Sequence, residues 1–494
     1  MVAVLTGYLT IGFAPPAQAL PSFARQTGQP CGTCHTDFPG LTPFGRRFKL
    51  LGYTTGGGPY RTTPFSNSRD ANANAQLRSY AERIDGNGPI VPLGSGEKGW
   101  VPPISAMVIV GDTHVQAPIP PPTDPYKPND NIVASPTSFF WGGAITNNIG
   151  AFAQVTHNAP DLVVNNDPFS HTWTWDNADV RFAGTKMIGG LDVVYGITAN
   201  NNPTVQDLWN TTPAWAFPYA TPGPGGSAGP SAGTMLEGAF AARVGGVGAY
   251  TMINDLLYME ATVYRTLNFR QQNSLGTDPV GSPGLFNYAP YWRIALEPHW
   301  GAHTLMVGAF GMFMDVRPWS DPSGLTSQVT IPQSDRYNDV GFDAQYQYQG
   351  SNYWLTLRGS FIHEFQTLNA SFNGFNPALT PSNPTNTINS LRLYSSLALG
   401  SDNRVVLTGQ YFNVWGTADA GIYGFDTNGL ALTPNSDGWT AEIAYIPFGA
   451  SKSPGWPWFN ARIGLQYTYF NKFNGTTVGA HDNNTLFLHA WLAM

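Results

Sequence analysis

The chain has 494 residues, and only 11% of them are Asp, Glu, Lys or Arg, where soluble globular proteins average roughly 25%. The formal net charge is −7 and no segment is rich in Lys or Arg, which excludes an electrostatic surface for nucleic acid. A content of 13% aromatic residues, with 55 Gly and 41 Pro, favours strands and turns over helices. No segment has the ~18 consecutive apolar residues of a membrane-spanning helix, so a membrane-embedded form of this chain would be a β-barrel.

The first segment predicts export. Residues Val2 to Ala14 form an apolar run that leads to the small-residue triplet Ala17-Gln18-Ala19. This order is typical of a signal peptide, so we predict that residues 1–19 are removed and that Leu20 becomes the mature N-terminus. Because no basic segment precedes the apolar run, we expect the native chain to begin upstream of Met1, or its start to be misassigned.

The two cysteines of the chain lie in one motif, Cys31-Gly32-Thr33-Cys34, and His35 follows directly. This is the attachment signature of haem c, in which both thiols bond the vinyl groups of the porphyrin and the histidine is the proximal iron ligand. A dithiol redox pair would need a thioredoxin-like βαβ setting, and a zinc site would need more ligands nearby. A structural disulfide is the third alternative. We predict one covalent haem c, held by Cys31, Cys34 and His35.

The segment after the motif predicts one short helix that covers the haem. Thr42 is the expected N-cap, Pro43 the first helical residue and Gly52 the stop. The apolar residues recur at spacings of four and three, and we expect this face to contact the porphyrin: Phe44, Phe48 and Leu51. With the linker from Thr54 to Pro103, which is rich in Gly, Asn and Pro, residues 20–103 form the predicted monohaem cytochrome c domain and linker.

The predicted haem segment lacks a usual sixth iron ligand, since no His or Met occurs from Thr36 to Ala106. Lys49, Lys98 and the terminal amine of Leu20 are alternatives that electron carriers use less often. We therefore expect the haem to dock against or inside the domain that follows, or to keep an open coordination position.

From residue 104 to residue 494 the chain alternates apolar and polar residues over segments of about ten positions, the period of a strand with one lipid-facing and one aqueous side. In one such segment we expect Leu355 and Leu357 outside, with Thr356 and Arg358 facing the lumen. About sixteen segments of this kind occur, an even number in the porin range. Long connections, such as Asn158 to Phe169 and Asn201 to Gly233, alternate with tight ones.

Short turns at one rim and long surface loops at the other are typical of an outer-membrane barrel. We predict an all-β fold: an antiparallel outer-membrane β-barrel of about 16 strands over residues 104–494, with the small N-terminal haem c domain plugging or docking at its lumen. Both ends of the barrel then lie at the periplasmic rim. A soluble β-propeller or sandwich is the alternative, but neither needs apolar residues outside every strand.

The barrel offers candidates for the sixth ligand. Met107 lies in the first strand, near the periplasmic rim and on the inward face, and its thioether would raise the haem potential. A packing role is the alternative for this residue. His489, inward at mid-depth on the last strand, is the second candidate. The inward methionines of another strand, Met306, Met312 and Met314, are expected to line the bore.

Charged residues are also expected on the inward face, where they form a solvated lining or cross-strand ion pairs rather than an iron site. They are Arg181, Arg293, Arg358, Arg392, Arg404 and Arg462 with Asp179, Glu297, Asp343, Glu364 and Glu442.

Two stretches carry a resemblance to a known family. The stretch from Leu20 to Gly28, which runs into the cysteine motif and on through Leu41 to Tyr53, resembles the fused cytochrome-porin family of outer-membrane iron oxidases of iron-oxidising bacteria. Asn200 to Asn210, with Pro213-Ala214-Trp215 after it, is similar to a loop of related chains.

The resemblance spans both predicted domains. It implies one-electron oxidation of extracellular Fe(II), with the electron passed through the haem to a periplasmic cytochrome c or cupredoxin, in a protein held by outer-membrane lipid. The roles of Cys31, Cys34 and His35 transfer from the family, and that of the sixth ligand does not.

Two other functions fit the same plan. A solute porin, with the haem domain as a redox-sensitive plug or folding aid, predicts ion conductance. An open-site haem that acts as a peroxidase or gas sensor predicts a high-spin ferric spectrum. The chain is an enzyme, of the Fe(II):cytochrome or cupredoxin oxidoreductase type, under the electron-transfer hypothesis.

Overall fold

The structure, a computed structural model, describes residues 20–27, 31–54, 90–93, 97–100, 103–118, 127–157, 173–212, 214–277, 284–317, 333–374, 380–400, 404–426, 428–448 and 453–494. The predicted signal peptide, residues 1–19, lies outside this part of the chain. So does most of the predicted linker, of which a hairpin of β1 (Ile90–Leu93) and β2 (Glu97–Trp100) is described.

In the described part of the chain, sixteen antiparallel strands close into one barrel. Each strand pairs with the next along the chain, and the last pairs with the first, Trp491 opposite Ile109. The barrel strands are β3 (Ile104–Val115), β4 (Asp130–Ala144), β5 (Ile149–His157), β6 (Trp173–Ile188), β7 (Leu191–Asn200), β8 (Val244–Ile253), β9 (Leu257–Thr266), β11 (Ala289–Leu296), β13 (His303–Arg317), β14 (Asp335–Gln349), β15 (Tyr353–Thr367), β16 (Thr385–Leu399), β17 (Val405–Gly416), β18 (Ser436–Tyr445), β19 (Asn460–Lys472) and β20 (Thr485–Ala493). Two-residue strands, β10 (Gly284–Leu285) and β12 (His299–Trp300), extend the same sheet.

The outer surface of the barrel is apolar. In β20, Leu488 is 51% exposed, whereas its neighbours Phe487 and His489 are 2% and 1% exposed. Because side chains alternate between the two faces of a strand, such a pattern places apolar residues outside and polar ones in the lumen. It confirms the predicted alternation and is the pattern of a barrel that spans a lipid bilayer.

Exposed aromatic side chains lie near both ends of the barrel wall, as in the aromatic girdles of membrane barrels. Near the short turns they are Trp141, Trp300, Tyr353 and Tyr445, and near the long connections they are Trp173, Trp175, Tyr288 and Trp439. The lipid-facing band is therefore bounded on two sides.

Short turns gather at one rim, which also contains the first and last strand ends. They include the turn at Gly189 and Gly190, where both residues have a positive φ, and the turn from Gly350 to Asn352. This confirms the predicted alternation of connections. The predicted long loop from Asn158 to Phe169 lies outside the described residues.

The connection from β7 to β8 was expected to be a long surface loop, and that expectation was wrong. Val205, Leu208 and Trp209 are 0% exposed, because residues 201–243 fold into the lumen rather than over the rim. Gly223 donates to the Thr113 hydroxyl at 2.7 Å and Ser227 to the Thr485 hydroxyl at 2.9 Å, both through their backbone N–H groups. The carbonyl of Ala228 also accepts from the Thr440 hydroxyl of β18 at 3.3 Å, so the loop crosses the bore to the opposite wall.

The helices are short. They are α1 (Pro21–Thr27), α2 (Cys31–Cys34), α3 (Pro43–Leu50), α4 (Phe269–Ser274), α5 (Asn369–Phe372) and α6 (Ala420–Tyr423), with 3₁₀ turns at Met235–Glu237 and Ala480–Asn483. Among the described residues, none of these helices has the length and apolar character needed to cross a membrane.

Candidate functional site

The described parts of the N-terminal segment, residues 20–27 and 31–54, lie inside the barrel at the short-turn rim. Ser22 donates to the carbonyl of Gly142 at 3.0 Å, and Arg46 pairs with Glu297 at 2.8 Å. Arg47 pairs with both Asp192 and Asp255, which adjoin two short turns. These contacts tie α1 and α3 to separate parts of the wall.

The cysteine motif forms a single helical turn that ends at the histidine. The His35 N–H donates to the carbonyl of Cys31 at 3.0 Å, and the His35 Nδ1 atom lies 3.0 Å from the carbonyl oxygen of Pro39. Since a carbonyl oxygen can only accept, Nδ1 has the proton and Nε2 has the free lone pair. A hydrogen bond of this kind orients a histidine that binds metal through its other nitrogen.

Helix α3 packs directly on this turn. The Thr42 hydroxyl caps α3 by accepting from Gly45 at 3.0 Å, which confirms the predicted cap, and it donates to the carbonyl of Thr33 at 2.7 Å. A Cβ atom at Gly45 would overlap the carbonyl of Cys34. Glycine at this position therefore allows the helix to approach the motif.

A cavity that is partly open to solvent adjoins the motif. Its lining is mostly apolar: Leu20, Phe23, Ala24, Thr27, Cys31, Cys34, His35, Pro39, Leu41, Gly45, Phe48, Lys49, Tyr53, Phe152, Asn210 and Trp215. Both thiols and the imidazole thus border one apolar space.

Burial keeps these groups in their neutral forms near pH 7. Burial raises the pKa of Cys31 to about 11 and that of Cys34 to about 12, so both are thiols near pH 7, unlike the thiolate of a reactive redox pair. Burial lowers the pKa of His35 to about 4, which leaves a neutral imidazole, the form that can bind a metal. No group of three or more His, Cys, Asp or Glu residues suited to a metal ion occurs in the described ranges.

The α3 face toward the cavity differs from the predicted one. Phe48 lines the cavity with Gly45 and Lys49, whereas Phe44 packs on the neighbouring core and Leu51 is buried against the wall. Most residues of α3 are buried, whichever side of the helix they lie on, so the spacing of apolar residues could not show which side meets the cavity.

The connection from β7 to β8, of which residues 201–212 and 214–243 are described, is here called the lumenal loop. It closes the cavity from the side of the long connections. Asn210 accepts a hydrogen bond from the N–H of Leu41 at 3.2 Å, and Trp215 donates from its indole to the carbonyl of Val205 at 2.7 Å. Lys49 donates to the carbonyls of Val205 and Asp207 at 2.6 and 2.9 Å. Sequence resemblance singled out this loop, but nothing in its composition showed that it reaches the motif.

Asp37, two residues after His35, anchors the motif to the wall. It is 1% exposed and accepts hydrogen bonds from the hydroxyls of Tyr394 and, at 3.2 Å, Tyr219. The Arg358 guanidinium lies 3.8 Å from its carboxylate. The loop, β15 and β16 therefore meet at one buried carboxylate.

The structure places Met107 and His489 on the inward face, as predicted, at 2% and 1% exposure. Met107 packs in the apolar cluster that contains Leu20 and Phe38, and His489 lies 3.1 Å from the carboxylate of Glu442. Neither residue is among those that line the cavity. The structure therefore does not bring either of them to the histidine.

The predicted inward charges are mostly paired. Arg181 bonds Asp179 at 2.7 Å, and the other pairs are Arg293 with Asp343, Arg462 with Glu442, and Arg392 with Glu237. Arg404 was also expected to face inward, but it is exposed just before β17. Glu297 has its partner in the N-terminal segment rather than on the wall.

No protein-family model matches the chain, and no curated protein matches it. Solved structures to which it is similar include Pseudomonas putida OprB, with 12% identity and a TM-score of 0.42 over 79% of this chain and 92% of that one. Salmonella typhi OmpF in complex with daunomycin gives 11% identity and 0.42 over 79% and 97%, and the outer membrane channel DcaP of Acinetobacter baumannii gives 9% and 0.41 over 79% and 96%. At these scores no function follows from the likeness, and the architecture rests on the strand pairing described above.

Proposed function

We propose that this chain is an outer-membrane electron-transfer protein with one haem c, attached through Cys31 and Cys34 and bound at its iron by His35. The observation that carries the proposal is the His35–Pro39 hydrogen bond, which leaves Nε2 free beside an apolar cavity that both thiols border. The bound haem would supply a one-electron couple. The protein would hold it, orient the imidazole and exclude water.

The position of the cavity favours transfer between the two sides of a membrane. The N-terminal segment lies at the short-turn rim, which is the periplasmic side in outer-membrane barrels. A periplasmic cytochrome c or cupredoxin would accept the electron there. On the resemblance of the sequence we propose extracellular Fe(II) as the donor, approaching from the rim of the long connections.

A solute porin is the second candidate, and the polar, charge-paired lumen favours it. Arg462 and Glu442 lie in the bore at 0% and 4% exposure, as such residues do in the walls of channels. Against it, residues 20–27 and 31–54 lie inside one mouth and residues 201–243 cross the bore. We therefore propose that the barrel serves to hold and enclose the haem rather than to pass solutes.

Reconstitution in liposomes tests the proposal. With the haem oxidised at the start, Fe(II) added outside is expected to reduce it, as seen by haem absorbance, and to reduce horse-heart cytochrome c trapped inside. The variant with Cys31→Ser and Cys34→Ser is the control and should do neither.

Conductance in planar bilayers separates the candidates. We expect the intact protein to conduct far less than an open sixteen-stranded porin. Large steady conductance together with a haem that Fe(II) leaves oxidised would favour the solute porin, and peroxide turnover by a high-spin ferric haem would favour the peroxidase alternative.

A further inference from the structure

The cavity lining restricts the choice of the sixth iron ligand. Besides His35, the lining side chains with a lone pair for a metal are Thr27, Lys49, Tyr53 and Asn210, together with the two thiols. Leu20 also lines the cavity, and its amine, if residues 1–19 are removed, is the alternative that substitutions of Lys49 would leave in place. Methionine is absent from this lining, and His35 is its one histidine. The undescribed residues between 55 and 102 cannot supply either type, since the sequence has no His or Met from Thr36 to Ala106.

Two of these polar groups are engaged elsewhere. Tyr53 donates its hydroxyl to Asp179 at 3.2 Å. Asn210 uses its oxygen for the N–H of Leu41 and its nitrogen for the carbonyl of Trp215 at 3.2 Å, so the amide bridges the motif and the loop. Neither an amide nor an alcohol such as Thr27 is a usual ligand of haem iron.

Lys49 has surroundings that suit a ligating amine. It is 5% exposed, and its Nζ donates to two backbone carbonyls, those of Val205 and Asp207. A neutral primary amine has two N–H groups and one lone pair. The two carbonyls can accept from both N–H groups, and Nζ lies 4.4 Å from the centre of the Trp215 ring, which also lines the cavity. A carboxylate within ion-pair distance would hold the ammonium form, and none is paired with Lys49 among the described residues.

Helix α3 delivers Lys49 to the same space as the histidine. Gly45, one turn earlier, contacts the carbonyl of Cys34, so the helix is fixed against the motif that attaches the porphyrin. Lys49 then lines the cavity together with His35. We propose that the Lys49 amine is the sixth ligand of the haem iron, an inference that rests on the proposed haem function and replaces Met107 and His489 in that role.

The first test compares ferric spectra of the purified full-length protein in detergent. Low-spin absorption with the near-infrared charge-transfer band of histidine–amine ligation is expected for the wild type. Lys49→Ala and Lys49→Arg should both become high-spin and bind carbon monoxide when reduced. Arginine keeps the positive charge but has no available lone pair, so it separates ligation from charge pairing with the haem propionates.

A further substitution at Lys49 should replace the iron ligand instead of removing it. Lys49→Met should stay low-spin, with the band of histidine–thioether ligation and a higher midpoint potential, because a thioether raises the haem potential. Lys186→Ala, on the exposed face of β6, is the matched control and should leave the spectrum unchanged.

The outcomes separate this inference from the proposed function. A haem stain on a denaturing gel and heat-shifted barrel migration check attachment and folding in each variant. If Lys49→Arg keeps the wild-type low-spin spectrum, or if Met107→Ala abolishes it, the ligand assignment is overturned while the haem function stands. Absence of covalent haem from the wild type would instead defeat the proposed function.

Discussion

The His35 Nδ1 atom lies 3.0 Å from the carbonyl oxygen of Pro39, four residues along the chain. The bond closes the loop that follows the cysteine motif and directs Nε2 away from the backbone. A hydrogen bond between two residues close in the sequence thus orients an imidazole at a cavity that only the tertiary structure forms.

The role of His35 can be tested by removing the imidazole. We expect His35→Ala to hold less haem and to lose the low-spin spectrum, and added imidazole to restore it, because the cavity then has room for the free ring. Absorption spectroscopy checks this, with His489→Ala as the control that should match the wild type. An unaltered spectrum in His35→Ala would show that His35 is not an iron ligand.

Gly45 allows α3 to approach the motif, and its substitution should show this. Alanine normally stabilises a helix by about 1 kcal/mol relative to glycine. Here we expect Gly45→Ala to destabilise the segment by about 1–3 kcal/mol, because its Cβ would overlap the Cys34 carbonyl. Hydrogen exchange of residues 31–54 and the ratio of haem to protein measure the effect.

Gly32 supplies the control for that substitution. A Cβ at Gly32 has no heavy atom within 4 Å. Gly32→Ala should therefore leave both the exchange rates and the haem content close to those of the wild type. Equal behaviour of the two alanine variants would contradict the close approach at Gly45.

Asp37 joins the motif to the wall, and its loss should loosen the motif without opening the barrel. Asp37→Ala removes the carboxylate that accepts from the hydroxyls of Tyr219 and Tyr394, and it takes the paired carboxylate from the buried Arg358. Breaking a buried charged contact costs about 3 kcal/mol or more. We expect hydrogen exchange of residues 31–54 to be at least about 100-fold faster by the usual conversion of energy to rate.

Two controls show whether faster exchange in Asp37→Ala is specific to the motif. Asp426→Ala, on an exposed outer loop, should leave exchange in residues 31–54 unchanged. Exchange in β15 and β16 should also stay slow, since their backbone pairing is independent of Asp37. Unchanged exchange of the motif in Asp37→Ala would show that the other contacts hold it.

Asp207 makes the lumenal loop sensitive to acid. Burial acts to raise the pKa of its carboxyl, but Arg293 and the N–H groups of Trp209 and Thr212 outweigh burial, so the pKa lies below its ordinary value. A lowered pKa in the folded state means that this stabilisation is present above the ordinary aspartate pKa. It is lost as the pH falls below that value through the folded-state pKa.

We therefore expect residues 201–212 to exchange faster in the wild type only in strong acid, below about pH 4, where the unfolded aspartate begins to be protonated. Asp207→Asn should show fast exchange at neutral pH and little further change on acidification. Hydrogen exchange across this pH range measures both. Acid loosening of the same size in Asp207→Asn would assign the effect to another group.

The sequence by itself determined the features that depend on neighbours along the chain. The period of two in β15 and β20 shows which residues face outward, because successive side chains of a strand alternate whatever the strand pairs with. The cap at Thr42 and the spacing of Cys31, Cys34 and His35 are local in the same sense. Strand number, turn positions and the inward positions of Met107 and His489 followed from these patterns.

Only the tertiary structure determined which residues line the cavity. Asn210 meets Leu41 across 169 residues of sequence, and Lys49 meets Val205 across 156. The periodic pattern of apolar residues in the sequence cannot reveal such pairs, because they depend on how the loop between β7 and β8 folds back into the bore. The inward face of a strand is a local property, but the distance of an inward residue from the histidine depends on the closure of the whole barrel.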